Sequence, residues 1–74
     1  MADMAPSPTP GPVPEDDLGQ YVGMPAQEAE RTAARHGWTT VRALPPDAVI
    51  TLEYLAGRLN LTVQDGVVTR CWAG

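Results

Sequence analysis

The feature that most constrains this chain is a hairpin written near its end. From Arg58 to Gln64, apolar Leu59, Leu61 and Val63 alternate with polar Arg58, Asn60, Thr62 and Gln64, the period of two expected of a strand with one face buried and the other wet. Asp65-Gly66 follows, a pair that accepts the left-handed backbone of a two-residue turn, and Val67-Val68-Thr69-Arg70-Cys71-Trp72 returns as the antiparallel partner. An isolated hairpin is only marginally stable in water, so the rest of the chain has to cover it.

A helix and a further strand are available for that purpose. Pro25 suits a first helical position, where its missing N–H costs nothing, Gln27, Glu28 and Glu30 fill the first turns, and His36-Gly37 makes a stop. Ala26, Ala29, Ala33 and His36 recur on one face, which lets the helix approach a sheet closely, while Glu30, Arg31 and Arg35 point outward. Trp38 to Leu44, with two Thr and a Val, reads as a strand that Pro45-Pro46 ends. The expected fold class is α+β, one helix on one small sheet.

Upstream, the texture changes. Five of the eight Pro lie in the run from Pro6 to Pro14, which has almost nothing apolar to bury and reads as a solvated, polyproline-like segment. Asp3, Glu15, Asp16 and Asp17 carry the net charge of −4 there, because the remainder balances five acids against Arg31, Arg35, Arg42, Arg58 and Arg70. Residues 1–17 are therefore expected to be an acidic Pro-rich tail and residues 18–74 a folded domain, with Leu18-Gly19-Gln20-Tyr21-Val22-Gly23 docking the chain onto it.

An acidic segment on a neutral body without one Lys offers no footprint for a phosphate backbone, so nucleic acid is not an expected partner. No apolar run approaches the roughly 18 residues a membrane span needs, and the N-terminus lacks a basic start and apolar centre, so the chain as written reads as cytoplasmic, with secretion open if a leader was removed. The single Cys71 cannot close an internal disulfide; the expectation is a monomer, with a dimer linked through Cys71 as the alternative.

Catalysis is disfavoured by inventory. One His and one Cys, far apart in sequence, make neither a nucleophilic site nor a metal site, Glu28 and Glu30 are two apart on a helix and so on different faces, and no glycine-rich phosphate loop is present. His36 reads as a helix cap and Cys71 as a small half-buried residue. The chain is not expected to be an enzyme, nor to hold a metal or cofactor.

What remains is the connection of about thirteen residues between Leu44 and Arg58, long for so small a domain and thus a place to look for function. It starts with two prolines and carries β-branched Val49, Ile50 and Thr51, so it resists helix formation. An extended, stiff, exposed segment is what a protease cleft binds. The alternative is that Val49-Ile50-Thr51-Leu52 forms a short buried strand.

Val22-Gly23, Gln27-Glu28-Ala29, the turn at Leu44-Pro45, the run Val49-Ile50-Thr51-Leu52-Glu53-Tyr54 and the following Arg58-Leu59-Asn60-Leu61 resemble, in order and spacing, the potato inhibitor I family of serine protease inhibitors, with Arg58-Leu59-Asn60 and the ending around Cys71 most similar to its bacterial and fungal relatives. The resemblance implies a mixed sheet with a binding loop, Val49 to Tyr54, between two parallel strands. It implies a reversible, substrate-like inhibitor of subtilisin-like or chymotrypsin-like serine proteases that presents the Leu52–Glu53 bond, with Leu52 as the primary specificity residue. Arg58 and Asn60 would then support the loop, Asn60 standing where plant members often carry a second Arg. Many microbial relatives tie the terminal Cys to one near the start, and here no such partner exists. The rival reading is a non-inhibitory module of the same fold whose Pro-rich segment docks a partner; removal of residues 1–17 should spare inhibition and abolish such docking.

Overall fold

A computed structural model describes residues 11–50 and 53–74. After a single 3-10 turn, Leu18–Tyr21, come helix α1, Ala26–Arg35, and strands β1, Thr40–Leu44, β2, Arg58–Gln64, and β3, Val67–Ala73. The sheet order is β1-β2-β3, with β1 parallel and β2 antiparallel to its next neighbour, β3. The α+β class, one helix and a small mixed sheet, is thus as the sequence implies.

Local chemistry accounts for the boundaries. Asp65 and Gly66 both have positive φ, 55° and 79°, the backbone a two-residue hairpin turn needs, and the register slips by one between Thr62 and Val63. Helix α1 starts one residue later than the proline pattern predicts, with Pro25 as the flanking residue whose carbonyl accepts from Ala29 N. It ends in a Schellman arrangement: Trp38 N donates to Ala33 O and Gly37 N to Ala34 O. Those bonds, and that from Thr39 N to Gly57 O, occupy residues 38–39, which is why β1 begins at Thr40 rather than at Trp38.

The core is Tyr21, Ala29, Ala33, Trp38, Leu59, Leu61 and Val68, between α1 and one face of the sheet. Ala29 and Ala33 supply the close approach that the alanine face predicts. The outer edge of β3 is covered by the chain that leads into α1: Gly23 N donates to Val68 O, Val68 N to Met24 O and Ala26 N to Gly66 O. Cys71 lies half-buried against this core.

An expectation about the sheet fails. The polar face of β2 is not wet: Asn60 is 0% exposed and Arg58 8%, and Thr62 is buried as well. Alternation reports polarity, and polarity equals exposure only where nothing covers the face. Here every buried side-chain nitrogen and oxygen among the described residues has a hydrogen-bond partner, so burial carries no large desolvation penalty.

Candidate functional site

The connection between β1 and β2 passes over that second, polar face. Its entry is a turn in which Ala48 N donates to Pro45 O, as the paired prolines predict. Val49 and Ile50 then run without regular structure, Val49 91% exposed and Ile50 exposed too, so the buried-strand alternative does not hold for these two residues. Thr51 and Leu52, the expected primary specificity residue among them, lie outside the described residues. The path resumes at Glu53 and at Tyr54, which is 70% exposed.

Beneath it stands Arg58. Its Nη2 donates to the Glu53 carbonyl at 2.7 Å and to Gly74 O at 2.7 Å, and its Nε donates to Gly74 O at 3.2 Å. The partner on the connection is the backbone carbonyl of Glu53, not its carboxylate. Leu55 N donates to the same Gly74 oxygen, and Gly74 N donates back to Arg58 O. One buried guanidinium therefore ties three separate stretches of chain, with the planar geometry that lets Arg hold two acceptors at once. Bonds from a charged donor are stronger than neutral ones, although most of the gain of each is offset by the bonds to water that are given up.

Asn60 is spent differently. Its Oδ1 accepts from Arg42 Nε at 2.9 Å and its Nδ2 donates to Trp72 O at 3.2 Å, so among the described residues its amide reaches β1 and β3 and not the connection. Arg42, which strand pairing places opposite Asn60, is oriented by it. Arg42, Ile50, Glu53, Tyr54 and Trp72 line an open cleft of about 210 Å³, so the connection is bridged to the sheet rather than packed flat on it. A second depression of about 370 Å³ is bounded by Glu53, Tyr54, Leu55 and Arg58. Neither the role of Arg42 nor that of Gly74 is visible in the sequence, because both depend on which strands pair.

A second cluster lies at the other side of the core. Asp16, assigned by the sequence reading to the tail, has its side chain only 7% exposed. Its carboxylate accepts from Tyr21 Oη at 2.6 Å, Trp38 Nε1 at 2.9 Å, Gln20 Nε2 at 2.8 Å and Asp17 N at 3.0 Å, and meets His36 Nδ1 at 3.0 Å. Burial works against this charge, but the bonds from Tyr21, Trp38 and His36 and the imidazole charge outweigh it and hold the carboxyl down at about 2. Burial and the Asp16 carboxylate push the Tyr21 hydroxyl well above its usual range and the Cys71 thiol up to about 11. A thiol so protonated is a poor nucleophile at neutral pH. Asp17 caps the 3-10 turn through Gly19 N at 3.1 Å, and a capping Asp before an apolar residue was the one signal that could have moved the domain start upstream.

Among the described residues no group of three or more His, Cys, Asp and Glu could hold a metal ion, and no helix is long and apolar enough to cross a membrane. No curated protein and no solved structure matches the chain. The model of the peptidase inhibitor I78 family matches residues 16–73, starting at the buried Asp16 and ending one residue short of Gly74. It supports the class to which the loop residues pointed, a protease inhibitor with a protease as partner, without singling out the potato inhibitor I family. With the match covering most of its length, the chain belongs to the peptidase inhibitor I78 family.

Proposed function

We propose that the chain is a reversible, substrate-like inhibitor, not an enzyme, and that its target is a subtilisin-like or chymotrypsin-like serine protease to which it presents the Leu52–Glu53 bond. The observation that carries this reading is the Arg58 bond to the Glu53 carbonyl, anchored at Gly74 by the same guanidinium. A segment that emerges exposed at Val49 and Tyr54, yet is braced from beneath beside the candidate bond, has lost part of its freedom before it meets a protease. Each rotamer-rich side chain that need not be immobilised on binding saves roughly 0.5–1.5 kcal/mol. After attack on the Leu52 carbonyl, a brace on Glu53 would keep the new amine beside the acyl group, so that resealing competes with hydrolysis.

Leu52 suits an apolar specificity pocket rather than one built for Lys or Arg. Titration of the purified chain against subtilisin and chymotrypsin tests the reading. Stoichiometric, slowly reversed inhibition is expected; rapid cleavage without inhibition, or no effect at micromolar concentration, would sink it. Leu52→Arg should move preference toward trypsin-like enzymes, and unchanged selectivity would remove Leu52 from the primary pocket.

A further inference from the structure

We propose that residues 11–17 belong to the inhibitory unit, as a strap that positions the C-terminal root of the connection at Ala56–Gly57. This deepens the inhibitor reading and rests on it. The strap is tacked down at three places. Its base is Asp16, held by Tyr21, Trp38 and His36. In its middle, Pro14 lies over Gly37, 3.6 Å from where a Cβ would stand. At its tip, Gly11 N donates to Ala56 O at 3.1 Å.

The tip contact has no spare room. Gly57 has φ of +84°, and a Cβ there would meet Thr39 Oγ1 at 2.7 Å and the Gly11 backbone at 3.2 Å. A Cβ on Gly11 would meet Thr39 Cγ2 at 2.6 Å. Thr39 closes the triangle, because its N and its Oγ1 both donate to Gly57 O. Two glycines and one threonine thus interlock where the connection rejoins the sheet. Ala56 and Gly57 separate Leu55 from Arg58, so rotation there would swing Glu53 relative to the guanidinium that braces it. Arg58 fixes the connection from below, and the strap blocks its hinge. The expectation that inhibition survives loss of residues 1–17 is accordingly redrawn, with the boundary of dispensable chain placed before Gly11.

Gly11→Ala adds the methyl group for which this contact has no room. Made in the full chain, it should weaken inhibition of a protease that the parent inhibits by about tenfold, as freedom returns to the connection. Hydrogen exchange at the Leu55 and Arg58 amides should quicken by about tenfold while Leu61 and Val68 stay within about twofold. Adding Thr39→Ser, which removes the methyl at 2.6 Å and leaves the hydroxyl at 3.0 Å, should restore most of both. Uniformly faster exchange at all four amides would show a general loss of stability and overturn the proposal, as would unchanged exchange at Leu55 and Arg58, or local loosening with undiminished inhibition. A parent chain that inhibits neither subtilisin nor chymotrypsin would instead overturn the serine protease reading, and the exchange arm would still decide whether the strap holds the root.

Discussion

On its helix side β2 buries Leu59 and Leu61, which are satisfied by any close packing that excludes water; on its other side it buries Arg58, Asn60 and Thr62, of which Arg58 and Asn60 meet particular atoms at particular distances. The first face supplies non-directional stability and tolerates exchange of one apolar shape for another. The second supplies direction. Its stability contribution is modest, because hydrogen bonds to water are exchanged for bonds to protein, but it decides where Glu53 and Gly74 sit. On the substrate-like reading proposed above both are needed, since a core alone would leave the connection free to be digested as an ordinary substrate.

The largest effect should come from the apolar face. Leu61→Ala is expected to lower stability by about 2–5 kcal/mol in urea unfolding, with inhibition per folded molecule unchanged. A proportional loss of inhibition at equal folded fraction would erase the distinction between the faces. Arg58→Lys tests the polar face: an ammonium cannot hold the Glu53 and Gly74 oxygens in one plane, and inhibition should weaken by about 2 kcal/mol, roughly thirtyfold, with a smaller loss of stability.

Asp16 is the exception on the helix side, a charge beside the apolar core. Its folded value of about 2 lies below the ordinary 3.8, so its stabilisation is complete above about pH 4 and is lost as pH falls toward 2. The difference in stability between the parent chain and Asp16→Asn should therefore shrink by about 2 kcal/mol over that window. A difference that did not change with pH would show that Asp16 acts by shape rather than charge. The smallest effect is expected at Asn60→Ala, about 1 kcal/mol of stability from the freed Trp72 carbonyl and Arg42 side chain. Inhibition should follow only as far as Arg42 helps to hold the connection, which a double variant with Arg42→Ala would measure.

The hairpin, the helix, the order of elements and the exposed start of the connection were legible because each is written in short-range chemistry: alternation, Asp65-Gly66, an alanine stripe, paired prolines. Arg58 was legible as a candidate only through the family resemblance, and the structure adds that its partner at Glu53 is the main chain. Asp16 was misplaced because its donors, Tyr21, His36 and Trp38, lie up to 22 residues away and an acid in a Pro-rich acidic stretch looks solvated. By itself the sequence determined which segments fold and which way their apolar faces turn, since those follow from periods of 2 and 3.6 along the chain. Only the tertiary structure decided what the polar residues do. Whether Asn60 is wet or buried, and whether Arg58 meets water or Gly74, depends on which distant stretches of chain cover them, and no local pattern records that.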